Sequence, residues 1–223
     1  MINTRKIADT PRLNTYTMGE DIVNSITHAV GLGLSLAGAA TLISLSLLHG
    51  DAWFTVSFGI YGSSLIILYM ASTLYHAFRD PAIKKVFKIV DHASIYLLIA
   101  GSYTPFLLID LRNVWGWSLL CVIWGFALLG ILYKIFFIQR LRKLSVFMYV
   151  FMGWLCVIVI REILDSVPAT SIILMIIGGV VYTSGVIFYA WRRLPYNHAI
   201  WHLFVMGGSI CHYFSILLLL PKL

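Results

Sequence analysis

Charge is what this chain has least of. Only 11% of its 223 residues are Asp, Glu, Lys or Arg, against roughly 25% in an ordinary soluble domain. With 60% hydrophobic residues and a mean hydropathy of +0.90, it cannot hide its apolar surface in one globular core, so lipid must cover it. Cysteine is almost as scarce. There are three, Cys121, Cys156 and Cys211, all within apolar runs. An odd number without paired spacing excludes a disulfide framework, and the three read as buried, reduced small hydrophobes. No apolar stretch follows the polar N-terminal residues around Arg5, Lys6 and Arg12 closely enough to form a cleavable signal peptide. No low-complexity tract, collagen-like repeat or soluble domain interrupts the chain. No His-Glu pair occurs, which excludes the H-E-x-x-H helix of metalloproteases. A net charge of +7 would suit nucleic acid. The basic residues, however, sit in short loops between apolar segments, where they act as topology signals, so no nucleic-acid partner is expected.

What the chain does have is apolar runs of bilayer length, at 24–48, 52–78, 91–110, 115–138, 144–164, 170–191 and 198–220. Each is near the roughly 20 residues that a spanning helix needs. Polar breaks separate them: His49-Gly50-Asp51, Arg79-Asp80-Pro81, Asp110 to Asn113, Gln139 to Lys143, Asp165 to Pro168, and Arg192 to Asn197. Short loops predict one compact all-α bundle of seven transmembrane helices. It forms a single integral membrane domain over 1–223, with 1–20 a polar cytosolic or interfacial N-terminus. The mixed segment Thr17 to Ile26 is expected to begin as a short interfacial helix. Lys and Arg fall almost entirely on one side: Arg5, Lys6 and Arg12; then Arg79, Lys84, Lys85 and Lys88; then Lys134, Arg140, Arg142 and Lys143; then Arg192 and Arg193. Only Arg112, Arg161 and Lys222 fall on the other. The N-terminus is therefore expected in the cytosol and the C-terminus outside, in the cell's inner (plasma) membrane. Membrane lipids are the expected surroundings, and the oligomeric state is left open.

The polar residues inside these runs are not scattered. His198 and His202 open the seventh run one helical turn apart, which puts both imidazoles on one helix face. His76 lies near the end of the second run, and Asp91 and His92 open the third. Asn24 and His28 open the first, just after Asp21. On the topology above, all reach the same leaflet. Ionisable groups in a membrane are costly and need partners. Three imidazoles from two helices can hold a catalytic zinc that keeps a water in its fourth position, although imidazole also suits other transition metals. Ser72, one turn before His76, and Asp91 from a third helix suit the surroundings of that water, with Asp91 accepting its proton. Asp91 can also be read as the N-cap of the third helix, and Ser72 as a residue that bonds back to its own helix. Asn24 and His28 read as a hydrogen-bonding network beside the site, His92 as interfacial, and His212 as a packing residue. Such a centre would hydrolyse an amide or ester, and in a bilayer the substrate at hand is a lipid.

The residues also resemble the hemolysin III and adiponectin-receptor (progestin and adipoQ receptor) family of seven-helix membrane proteins. The match covers nearly the whole chain. It is carried by Asp21, Asn24 and His28 in the order acid-x-x-Asn-x-x-x-His; by Ser72, His76 and the following Asp91; by His198 and His202, with His212 beyond; and by the stretch Gly101 to Phe106. The short length resembles the bacterial hemolysin III branch. The resemblance implies a zinc ion on His76, His198 and His202 near the cytosolic face, with Asp91 and Ser72 around its water. It also implies kinship with receptors linked to ceramide hydrolysis, and with a branch named for cytolysis and linked to membrane homeostasis. Two departures stand out: Asp21 where glutamate is usual, and Ala199 where the receptors carry glutamate. Three functions therefore stand as expectations. The first is a zinc-dependent lipid amidase or esterase. The second is a non-enzymatic sensor or regulator with structural zinc. The third is a cytolytic protein, ranked last because polar groups confined to one leaflet offer no continuous charged path.

Overall fold

The computed structural model describes residues 16–138, 140 and 142–221. Arg5, Lys6, Arg12, Gln139 and Lys222, used above for topology and loops, lie outside the described residues. The described chain is helical throughout, with seven stretches long and apolar enough to cross a membrane. They are α1 (Met18–His49), α2 (Ala52–Ala77), α3 (Pro81–Ile109), α4 (Val114–Phe137), a broken fifth span, α7 (Ala169–Ala190) and α8 (Asn197–Leu217). The fifth span consists of α5 (Arg142–Gly153), a 3₁₀ segment (Leu155–Val159) and α6 (Ile160–Ser166). α1, α2, α3 and α4 pack each on the next, α7 packs on α8, and α8 returns to α1.

Polarity is inverted relative to a soluble protein. Val114, Leu48 and Phe136 stand on the outside, more than 70% exposed, while Asn24, His28, Ser72, His76, Lys84, Asp91, His198 and His202 are buried. Where lipid is the solvent, polar side chains face the bundle interior. Trp53, Trp115, Trp117 and Trp191 near the helix ends are exposed, as interfacial anchors require. Close approach of α1 to α2 depends on Gly31, where a Cβ would lie 2.5 Å from the ring of Tyr69.

Three boundaries differ from the sequence reading. The first is at α1, which starts at Met18 and runs unbroken, with no separate interfacial helix. Thr17 caps it reciprocally: the Glu20 N–H donates to Thr17 Oγ1 at 3.3 Å and the Thr17 N–H to Glu20 Oε2 at 2.8 Å.

The second is at α3, which begins at Pro81 rather than at 91. Proline is suited to the first helical position, and Asp80 Oδ1 accepts from the N–H groups of Ala82 and Ile83 at 2.9 and 3.0 Å. Asp80 is thus the N-cap and Asp91 is not. Lys84, Lys85 and Lys88 lie on the helix rather than in a loop.

The third is the fifth span, which breaks at Trp154. The Tyr103 hydroxyl lies 2.9 Å from the carbonyls of Met152 and Gly153 and accepts the N–H of Cys156 at 3.0 Å. One side chain thereby serves the backbone groups that the interruption frees, as irregular backbone at membrane depth demands.

At the opposite end of the bundle from the histidines, Asp110 follows α3 with Oδ2 buried and without a hydrogen-bond partner. Burial pushes its carboxyl up to about 6, against an opposing pull from Arg112. A carboxylate at a helix C-terminus also opposes the helix dipole. An acid held above its unfolded value of about 3.9 binds its proton more tightly when folded, so stability falls as pH rises from about 4 through about 6. Asp110→Asn is therefore expected to raise the melting temperature in detergent at pH 7.5. The gain corresponds to about 1 kcal/mol, or about 2–4 °C, after solvent screening of this partly exposed group. The gain should vanish near pH 4, and an equal effect at both pH values would rule out the carboxyl's charge as its source.

Candidate metal centre

The centre is built where the start of α1, the end of α2, the start of α3 and the start of α8 meet. One ring nitrogen from each of His76, His198 and His202 lies within 4.8 Å of the others, and all three side chains are buried. A tetrahedral zinc with bonds of about 2.0–2.1 Å holds its nitrogens roughly 3.4 Å apart, so small ring rotations would close the trio on an ion.

Hydrogen bonding settles which nitrogens are available. His76 Nδ1 donates to Asp21 Oδ1 at 2.9 Å, which leaves Nε2 with the lone pair and no partner. Asp21 is held in turn by Lys84 Nζ at 2.6 Å on its other oxygen. A carboxylate behind a histidine fixes the ring's tautomer and raises its basicity as a ligand. His202 Nδ1 donates to the Asn24 carbonyl at 3.2 Å, with Thr27 Oγ1 at 3.1 Å, again leaving Nε2 as the acceptor. Both nitrogens of His198 are buried without a hydrogen-bond partner among the described residues. Uncompensated buried nitrogens are costly, and a cation shared among these rings would satisfy them. The donor set therefore fits a zinc-type ion.

The other expected residues are close by. Asp91 is buried, pairs with His92 Nδ1 at 3.3 Å, and shares the wall of a cavity of about 150 Å³ with Ser72, His198 and His202. Ser72 does not bond back to its helix. Its hydroxyl is buried with no partner among the described residues, whereas Ser64 and Thr73 on the same helix donate to the carbonyls of Tyr61 and Tyr69. His92 is half-buried beside Asp91 rather than purely interfacial, and its carbonyl accepts from the Tyr149 hydroxyl at 2.8 Å. Asn24 belongs to the network through its backbone carbonyl. His28 does not, because neither ring nitrogen has a hydrogen-bond partner among the described residues. Its ring stacks on His202 with centroids 3.4 Å apart. His212 bonds to Gly208 on its own helix and lines the far part of the cavity.

Two residues escaped the sequence reading. Lys84 was counted as a loop charge, yet it is 4% exposed and bound to Asp21. Tyr16 stacks on His198 with centroids 4.9 Å apart and tilts over His76 at 5.5 Å, covering the trio from the polar end. Burial, with Tyr75, Tyr189, Asp91 and Asp21 around it, pushes its phenol well above the usual range, so it stays neutral. The signal for Tyr16 was its place just before the Thr17-x-x-Glu20 capping box, where an apolar residue commonly packs back on the helix. α1 and α8 are also joined through Glu20 Oε1, which accepts the Tyr196 N–H at 3.4 Å. Tyr196 itself has the left-handed φ of 55°, a strained conformation for a bulky residue.

A protein-family profile described as "Haemolysin-III related" matches residues 16–213. The "Hemolysin-3" of Bacillus cereus is 46% identical over 203 residues, covering 91% of this chain and 93% of that protein. The "Hemolysin-3 homolog" of Bacillus subtilis (strain 168) is 44% identical, covering 91% of this chain and 95% of that protein. A more distant relative is the human "Monocyte to macrophage differentiation factor", at 29% identity over 90% of this chain and 84% of that protein.

Proposed function

Because this chain belongs to the haemolysin-III-related family, as a multi-pass protein of the plasma membrane, we propose that it is a zinc-dependent hydrolase of a lipid amide or ester. The observation that carries the reading is the meeting of three buried histidines, two of which, His198 and His202, share the wall of one cavity with Asp91 and Ser72. We place that end of the bundle in the cytosolic leaflet. Arg79, Lys85, Lys88, Arg140, Lys143, Arg192 and Arg193 all lie at or near the same ends of their helices.

In this reading His76, His198 and His202 would hold the ion, which when bound would supply a polarised water and a Lewis acid for the scissile carbonyl. Asp21 keeps His76 in the tautomer that binds metal, with Lys84 holding Asp21 in place. Asp91 takes the proton of the attacking water and returns it to the departing amine or alcohol. Ser72 donates its free hydroxyl to the carbonyl oxygen as negative charge builds there. The cavity wall continues inward through Leu68, Leu98, Val186 and Val205, which suits an apolar tail and excludes bulk water.

The test is lipid turnover by the purified protein, with its metal content measured on the same sample. About one zinc per chain is expected, with release of fatty acid from an N-acyl or O-acyl lipid that stops on chelation and returns with zinc. Failure to cleave either class would overturn the hydrolase. Zinc retained without turnover would favour the second reading, a membrane sensor with a structural ion. The ties between α1, α2, α3 and α8 through Asp21, Lys84, His76 and His202 support that alternative. The relatives' names add a cytolytic alternative, which dye release from liposomes at low protein dose would favour.

A further inference from the structure

An ion on His76, His198 and His202 leaves one ring of the same chamber unexplained. His28 is 4% exposed, and both its nitrogens are buried without a hydrogen-bond partner among the described residues. Its position is fixed by rings rather than by hydrogen bonds. It lies parallel to His202, with centroids 3.4 Å apart and planes 15° apart, and against Tyr69 edge-on at 5.0 Å. It sits one turn further into the bundle than Asn24, and it forms part of the cavity wall together with Ser72 and Asp91.

A neutral imidazole carries one N–H donor and one lone-pair acceptor. Buried polar groups with neither protein nor solvent partners are rare, because each forfeits its hydration. The cation does not resolve this, since the trio that converges within 4.8 Å is His76, His198 and His202, without His28. Asp21 is engaged by His76 and Lys84, and His202 Nδ1 by Asn24 and Thr27, while the Ser72 hydroxyl on the same cavity wall also has no partner among the described residues. What His28 lacks is a partner able both to accept and to donate.

We infer that His28 is a ligand-contacting residue, whose imidazole hydrogen-bonds as donor and acceptor to the polar group of an amphiphile seated with its tail in the cavity. The ring selects ligands that carry an N–H or O–H next to a carbonyl or hydroxyl oxygen over ligands that only accept. The inference rests on reading the cavity as the ligand chamber, though not on hydrolysis.

Trp154 and Trp201 line that cavity, so ligand entry can be followed by tryptophan fluorescence. The probes are a long-chain primary amide, which donates and accepts, and its N,N-dimethyl counterpart, which only accepts. The wild-type protein should bind the primary amide about tenfold more tightly, the effect of one hydrogen bond. His28→Phe keeps the ring contacts with His202 and Tyr69 but offers no nitrogen, and should bind the two amides equally. His28→Gln, with a donor and an acceptor, should recover part of the preference, and it serves as the deciding variant if the phenylalanine protein does not fold. Equal binding by the wild type, or a preference that survives in His28→Phe, would overturn the assignment. So would loss of zinc from His28→Phe, which would make the ring a metal ligand. A wild type that keeps the preference yet cleaves no lipid leaves His28 a ligand contact and removes the hydrolase instead.

Discussion

His202→Ala is expected to lose its zinc and about 10 °C of melting temperature together. The ring does three things at once: it offers Nε2 to the trio, ties α8 to α1 through the Asn24 carbonyl at 3.2 Å, and stacks on His28. It is 1% exposed, so truncation leaves a void and removes the tie between α8 and α1, although the Asn24 carbonyl keeps the Thr27 hydroxyl at 2.9 Å. Emptying such a site costs about 2–5 kcal/mol, and in a chain of this length each kcal/mol is worth about 2–4 °C. Loss of the ion adds whatever its binding contributed. The comparison variant is His212→Ala on the same helix, whose ring bonds only to Gly208 of its own helix. That protein should keep its zinc. Zinc counted by mass spectrometry in both variants decides the matter. A His202→Ala protein that still carries one ion per chain would rule out the trio as the metal centre.

Asp91→Asn should separate chemistry from metal binding. The substitution preserves shape and burial but cannot accept a proton at the reacting water. Proton transfer by a positioned side chain contributes about 10²–10⁴ in rate, so kcat for lipid hydrolysis should fall by about that factor. Zinc content and melting temperature should stay near wild type, and KM should move little, because in the proposed mechanism Asp91 acts on the water rather than on the lipid. Its ion-pair partner among the described residues, His92 at 3.3 Å, is tested alongside by His92→Gln. If His92→Gln alone gives the loss, the pair rather than the carboxylate is responsible. Turnover at the wild-type rate in Asp91→Asn would remove it from the mechanism.

The histidine trio was legible because two of its members lie one turn apart on a helix, where spacing alone fixes their common face. The third, His76, followed from counting spans, since short loops and the one-sided lysines and arginines brought the end of the second span to the start of the seventh. Asp21 and Asn24 were visible as polar residues on an apolar helix. Lys84 was not, because a lysine four residues after a helix-starting Asp80-Pro81 looks the same in sequence whether it faces water or a buried carboxylate. The break in the fifth span left no mark in hydropathy either. It depends on one hydroxyl, that of Tyr103, which lies some fifty residues away in the chain, and apolar periodicity carries no record of such a partner. His28 was placed in the right neighbourhood but with the wrong kind of contact. Its type predicts hydrogen bonds, whereas its ring meets those of His202 and Tyr69 and its nitrogens have no hydrogen-bond partner among the described residues.

The joining of the first and last helices has a consequence for how the protein is made. Asn24 and Thr27 meet His202, and Glu20 meets Tyr196, across nearly the whole length of the chain. While the ribosome is still threading the middle spans into the bilayer, His76 has Asp21 beside it but neither of the other two rings. The three rings can therefore come together only after residues 197–217 have entered the lipid, so on the proposed zinc reading metallation would be the closing event of biogenesis, and a prematurely terminated chain would lack the centre.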